Sequence, residues 1–178
     1  MEVLNETELT EEAVRGSSQA FEQLVEQHYN LVYRTAYRLC GAKEDAEDIA
    51  QEVFVKLAGK MTGFKGKSSF STWLYRISVN TARDYLKKNS TKGSYEAAYV
   101  EEMKTQAKKG KDNPISPEDL YKTLNKLPHK LKEAMILVHA EGLNHKDAAI
   151  ALGCAETTVS WRLFQARRKL KSLLKREV

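Results

Sequence analysis

Phe64–Lys88 reads FKGKSSFSTWLYRISVNTARDYLKK, and its two parts follow different rules. Phe64 to Phe70 sets Gly66, two lysines and two serines between aromatics, a composition that belongs to a loop. From Ser71 onward the spacing is helical. Phe70, Leu74, Ile77, Thr81 and Tyr85 recur every three or four residues and form one stripe, the side expected inward. Trp73, Arg76, Asn80, Arg83 and Lys87 form the stripe beside it. That second stripe joins an aromatic plane, cations and an amide, the groups that single-stranded nucleic acid needs for stacking, phosphate contact and a base edge. A helix with a core Trp73 and a solvated basic face is the commoner arrangement and fits the same spacing.

Upstream, the chain reads as helical almost throughout. Glu8–Arg15 is expected as a short first helix. Ser17 and Ser18 are candidate caps of a second, with Phe21, Leu24, His28, Leu31, Tyr33 and Leu39 on its apolar side and an end near Gly41. Lys43–Lys60 follows, with Ile49, Val53 and Leu57 inward and Ala50 and Phe54 beside them. Its other face carries Glu44, Asp45, Asp48, Gln51 and Glu52. Acids in a first turn suit the helix dipole. Asp48, Gln51 and Glu52 continue beyond that turn, as they would on a surface that docks a basic partner.

Downstream the period lapses. Asn89–Pro117 is polar, holds Gly93, Gly110, Pro114 and Pro117, and is expected to be a flexible interdomain linker in which Glu96–Met103 forms a turn only when bound. The helical period resumes with Leu120, Leu124 and Leu127 and turns at Pro128. Lys130–Glu141 comes next, with Leu131, Ala134, Leu137 and Val138 inward and Gly142 as its stop. In His145–Lys171, Ala149, Gly153 and Val159 have the spacing of a helix-turn-helix, with Gly153-Cys154-Ala155 as the turn. Val159, Leu163, Ala166 and Leu170 face inward in the second helix. An exposed Trp161 beside Ser160, Gln165 and cations suits a recognition helix in the major groove, and an ordinary helical hairpin is the plainer alternative.

Charge is uneven along these segments. Of the net +5, residues 1–88 contribute 12 cations against 13 acids and residues 118–178 contribute 12 against 7. Glu156–Val178 alone has seven cations and two acids, which fits phosphate contact better than a helix end matched to its dipole. No apolar run is long enough to cross a bilayer, and the acidic start Met1–Glu12 is no signal peptide, so a cytoplasmic location is expected. Cys40 and Cys154 lie far apart with no CxxC and read as reduced thiols. The four histidines show no ligand spacing, and no nucleophile–base pair or phosphate loop is present. A metal site, a cofactor and an enzymatic activity are therefore not expected.

DAEDIAQEVF at Asp45–Phe54, SFSTWLYRISVNTARDYL at Ser69–Leu86 and GLNHKDAAIALGCAETTVSWRLFQARRKL at Gly142–Leu170 resemble an extracytoplasmic-function (group IV) sigma factor of bacterial RNA polymerase. The likeness covers nearly the whole chain, in the family's order. It implies an all-α fold of two small helical domains: residues 1–90 docking the core polymerase and melting the minus-ten element, a linker at 91–117, and residues 118–178 reading the minus-thirty-five element. On this resemblance Asp45, Asp48, Gln51 and Glu52 meet the clamp helices of the largest polymerase subunit. Phe64, Lys65, Lys67, Ser68, Ser69, Phe70, Trp73, Arg76, Asn80 and Arg83 take the minus-ten strand. Extruding a base costs a few kcal/mol and stacking returns roughly 1–3 per base, so a pocket can hold the strand open without ATP.

Thr157, Thr158, Ser160, Trp161, Arg162, Phe164, Gln165, Arg167 and Arg168 fall where the family meets minus-thirty-five duplex. Many members carry a basic residue and then Ser where this chain has Ser160-Trp161, and Arg where it has Gln165, which implies a different promoter sequence. The resemblance also implies an anti-sigma factor as partner and no small-molecule substrate; on the residues, no N-terminal autoinhibitory segment and no appended sensor domain are expected. Two other classes stay open on the residues: a stand-alone helix-turn-helix regulator, which leaves the Trp73 stripe and the acidic face idle, and a sigma mimic that sequesters an anti-sigma factor, which leaves the cations and Trp161 idle.

Overall fold

Two caps set where the first helices begin. In the computed structural model, which describes residues 5–90 and 117–176, Asn5 Oδ1 accepts from the Glu8 amide at 3.0 Å while Glu8 returns its carboxylate to the Asn5 amide at 2.9 Å. This reciprocal box opens helix α1, Glu6–Val14. Ser17 Oγ accepts from the Ala20 amide at 3.2 Å and opens α2, Ser18–Cys40. Gly41 ends α2 in the left-handed region at φ 81°, donating to the Tyr37 carbonyl at 2.7 Å, a conformation that a side chain would strain. Helix α3, Lys43–Lys60, runs into a single 3₁₀ turn, Met61–Gly63, before the loop that leads to α4, Phe70–Ser90.

The amino-terminal helices pack as α1 on α2 and α2 on α3, with the 3₁₀ turn against α1 and α3. Leu24, Val32 and Leu39 of α2, Ile49, Val53 and Leu57 of α3, and Leu74, Ile77 and Val79 of α4 are all buried. Each such side chain stabilises the fold by about 1.5–3 kcal/mol on burial. The stripe expected inward on α4 is found there: Phe70, Leu74, Ile77 and Thr81 are buried and Tyr85 is half-buried. Along α2 the buried positions are Ala20, Leu24, His28, Val32, Thr35, Ala36 and Leu39. Phe21, Leu31 and Tyr33, expected on the apolar side, are half-buried at its edges.

The carboxyl-terminal helices are α5, Pro117–Asn125; α6, His129–Met135; α7, His145–Leu152; and α8, Glu156–Arg176. α6 does not continue as the plain helix that the spacing suggests. It widens into a π turn, Ile136–Ala140, closed by the Glu141 amide on the Ile136 carbonyl at 2.9 Å. Leu127, Leu131, Ala166 and Leu170 form a core cluster with Leu124 and Met135 against it. Leu120, expected in that stripe, is instead 42% exposed near the start of α5. Lys132 and Glu133, which no apolar period marks, are buried. Glu133 holds His129 Nδ1 at 3.1 Å, and Lys132 Nζ lies over the Tyr121 ring at 5.7 Å.

The turn between α7 and α8 is the one expected. Gly153 takes φ 66°, the Cys154 amide donates to the Ala149 carbonyl at 3.0 Å, and Asn144 Oδ1 caps α7 by accepting from Asp147 at 2.8 Å. Both cysteines are free thiols and half-buried. No strand occurs among the described residues, and no helix in them is long and apolar enough to cross a membrane. The linker expected at 91–117, with its conditional turn Glu96–Met103, lies outside the described residues apart from Pro117, which begins α5.

Candidate nucleic-acid interface

The loop before α4 is built around aromatic contact. Phe64, Phe70 and Trp73 pack together, with ring centroids 5.8 Å apart for Phe64–Phe70, 4.9 Å for Phe64–Trp73 and 6.1 Å for Phe70–Trp73. Below them the His28 ring meets the edge of Phe70 at 5.0 Å. Only one end of this cluster is sealed: Phe70 is 4% exposed, whereas Phe64 and Trp73 are half-buried. Trp73 is thus neither the core residue nor the free platform that its spacing allowed. It is an anchored ring with one side on a cleft of about 280 Å³ lined by Lys56, Lys60, Trp73, Arg76, Asn80 and Asp84 among others.

That cleft gathers Trp73, Arg76 and Asn80 of the stripe expected on α4. Arg76 and Asn80 are exposed, and Arg83 donates from Nη1 to Asn80 Oδ1 at 3.3 Å, which leaves the Asn80 amide hydrogens for a base edge. Ser69 caps α4: its Oγ accepts from the Thr72 amide at 3.1 Å. Lys65 and Lys67 are exposed on the loop around Gly66, and Ser68 Oγ donates to the Ser69 carbonyl at 3.2 Å. Phe70 corrects its expected role. Its ring is 4% exposed and packs against His28, Phe64 and Trp73, so in this structure it supports the cluster and offers no open face to a base.

Lys56 and Lys60 were missed by the sequence reading. Lys56 Nζ is 2.8 Å from Glu52, 3.8 Å from Asp84 and 3.4 Å from Thr81 Oγ1, so one cation ties α3 to the cleft wall on α4. Its position four residues after Glu52, with Lys60 four further on, was the available signal. Of the expected docking residues, Asp48, Gln51 and Glu52 are exposed on α3. Asp45 is corrected: it is 6% exposed and accepts the Tyr85 hydroxyl at 2.8 Å. That hydroxyl also lies 3.2 Å from Asp48 Oδ2. A phenol has one proton, so it serves the shorter contact first and pins α4 to α3 from inside.

On α8 the surroundings are open. Val159, Leu163, Ala166 and Leu170 are buried, which turns Trp161 (59% exposed) and Phe164 (55%) outward. Arg168 lies over the Phe164 ring at 5.8 Å. Thr157, Ser160, Arg167 and Arg168 are exposed, while Thr158 and Gln165 are half-buried. Arg162 departs from the expected set. It is half-buried, and its Nη1 is sealed without a hydrogen-bond partner among the described residues, so it turns toward the interior side of α8.

Two side chains from outside α8 reach this face. His145 Nδ1 is 2.9 Å from Ser160 Oγ, and His139 Nε2 is 3.2 Å from Arg167 Nη2. These contacts span 15 and 28 residues of sequence, and no local spacing announces them.

Residues 24–91 match the sigma-70 region 2 family and residues 118–170 match the sigma-70 region 4 family. The extracytoplasmic-function RNA polymerase sigma-E factor of Haemophilus influenzae is 31% identical over 96% of each chain. RNA polymerase sigma-H factor of Pseudomonas aeruginosa is 30% identical over 94% of this chain and 92% of its own. Among solved structures, CnrH bound to the cytosolic domain of CnrY aligns with a TM-score of 0.70, 28% identity and 96% and 97% coverage. The sigma factor RpoE bound to the anti-sigma factor NepR, from Bartonella quintana, aligns with a TM-score of 0.65, 27% identity and 87% and 96% coverage.

Proposed function

Because this chain belongs to the extracytoplasmic-function sigma factors of the sigma-70 family, we propose a division of its promoter work between two surfaces. It is an RNA polymerase sigma factor and not an enzyme. In our reading residues 1–90 dock the core polymerase and hold the minus-ten strand, residues 118–178 read the minus-thirty-five duplex, and 91–117 link them. Asp48, Gln51 and Glu52 meet the clamp helices. Trp73, Arg76 and Asn80 take the minus-ten strand, helped by Lys56, Lys60, Lys65 and Lys67. Ser160, Trp161, Phe164, Gln165, Arg167 and Arg168 meet the duplex.

The observation that carries this reading is the Trp73 cleft. It sets an anchored ring, an amide and cations around a space of about 280 Å³, and an extruded base needs a stacking face with hydrogen-bond donors beside it. A stand-alone repressor has no use for such a cleft. The protein then works in the cytoplasm with the polymerase. An anti-sigma factor that covers the polymerase-docking surfaces belongs to the same reading, by analogy with RpoE held by NepR.

Run-off transcription with purified core polymerase, on a library randomised in both promoter elements, tests the proposal. We expect transcripts to start only when the chain is present and the selected templates to share two elements. Tight operator binding by the isolated chain, with no transcription from added polymerase, would favour the repressor.

A further inference from the structure

The contact between His139 and Arg167 joins two basic side chains at 3.2 Å, and chemistry leaves it one form. A guanidinium has only donors, so the imidazole nitrogen must accept, which requires a neutral ring with its proton on Nδ1. The surroundings favour that form. Although His139 is exposed as a whole, partial desolvation of its ring lowers its pKa below the usual value, and the charge of Arg167 from α8 and of His145 from α7 lowers it further. His139 sits on the π turn Ile136–Ala140, whose wider hydrogen-bond ring departs from the α-helix that leads into it, and such turns recur at functional sites. The contact uses one of the five guanidinium protons and leaves the rest for phosphate.

We propose that His139 is a positioning residue for minus-thirty-five recognition: its neutral imidazole holds the Arg167 guanidinium ready for the DNA backbone. The inference rests on α8 being the helix that meets duplex. An arginine already held loses less freedom when it binds, so the complex is tighter. Protonating His139 removes the acceptor and sets a like charge 3.2 Å from the guanidinium. The contribution to DNA binding is therefore present above the lowered pKa of His139 and lost as pH falls through it.

The test uses holoenzyme assembled from core polymerase and full-length chain, bound to a duplex carrying the minus-thirty-five sequence selected in the library experiment. Dissociation constants are measured from pH 8 to pH 5.5 for wild type, His139→Leu, His139→Gln, Arg167→Ala and the double variant His139→Leu/Arg167→Ala. We expect His139→Leu to weaken binding about two- to tenfold, the scale of ordering one long side chain, and the double variant to match Arg167→Ala alone. His139→Gln keeps an uncharged acceptor, so it binds like wild type at pH 8 and lacks the extra acid loss that wild type shows. His139 is exposed, and circular dichroism checks that each variant stays folded. Additive effects in the double variant, or identical pH profiles for wild type and His139→Gln, would overturn the proposal. If Arg167→Ala changes nothing, the reading of α8 beneath it fails as well.

Discussion

Trp73 and Trp161 are the two tryptophans of this chain, and their neighbours differ in kind. Trp73 leans on Phe64, which packs on buried Phe70, and around its cleft Glu52 and Asp84 hold Lys56. Trp161 stands outward on a helix whose region holds seven cations and two acids. Stacking on one extruded base asks for a ring whose position is fixed beforehand. Duplex asks for positive charge spread along an open face. The contrast teaches that an aromatic beside cations is not one motif. What packs behind the ring decides between a pocket and a surface.

The sharpest way to break the contrast is to remove the support behind Trp73. Phe70→Ala deletes a buried ring that touches His28, Phe64 and Trp73. It should destabilise the amino-terminal helices by about 3–5 kcal/mol in urea unfolding. A loss below about 1 kcal/mol would mean that the cluster does not anchor Trp73.

Charge separates the regions next. Reversing Asp48 and Glu52 to lysine should weaken binding to core polymerase by several kcal/mol, because like charges then face a basic partner. Urea stability should fall by only about 1 kcal/mol: the Glu52–Lys56 pair is substantially solvent-exposed, Tyr85 keeps its shorter bond to Asp45, and the new lysines add like-charge neighbours along α3. Equal affinity for core in a titration would remove α3 as the docking face.

On the open side, Gln165→Arg should move preference toward guanine at one base pair by roughly 1–3 kcal/mol, because arginine takes O6 and N7 where glutamine suits adenine N6 and N7. A randomised minus-thirty-five library transcribed by both holoenzymes reads this out. An unchanged consensus would show that Gln165 meets no base.

The smallest effect concerns acid. Burial lowers the His28 pKa, outweighing Glu6, whose carboxylate lies 3.4 Å from Nε2 without hydrogen-bond alignment. Because the folded pKa is the lower one, the neutral ring is favoured in the fold. Its contribution is present above the unfolded value near 6.5 and fades as pH falls toward the folded one. The urea midpoint of the amino-terminal helices should drop between pH 7.5 and 5.5, and less so in His28→Phe. Equal drops in both proteins would place the acid sensitivity elsewhere.

Much of this architecture could be read from local rules. Ser17, Gly41 and Gly153 punctuate helices wherever they stand in the chain, and the period from Phe70 to Tyr85 needs only its own helix. The failures share a cause. Asp45 looked like a first-turn acid suited to the helix dipole and to docking, and only Tyr85, 40 residues away, shows why it is buried. Phe70 belongs to the inward stripe and to the loop, and pattern alone cannot say which neighbour claims its ring. Arg162 entered the minus-thirty-five set through the resemblance alone, although it stands three residues after buried Val159 and four before buried Ala166, and its end is sealed. The π turn at Ile136–Ala140 breaks the period that would have located His139. Pairings over long sequence separations leave no periodic trace.

Base opening tests the division between the two surfaces most directly. A 2-aminopurine probe in the minus-ten element reports unstacking by holoenzymes carrying Trp73→Ala or Trp161→Ala, each at saturating concentration. Trp73→Ala should bind core and duplex normally yet open poorly, losing roughly 1–3 kcal/mol of base capture. Trp161→Ala should bind duplex more weakly but open fully once saturated, with stability unchanged to within about 0.5 kcal/mol. Normal opening by Trp73→Ala, or failed opening by saturated Trp161→Ala, would contradict the account.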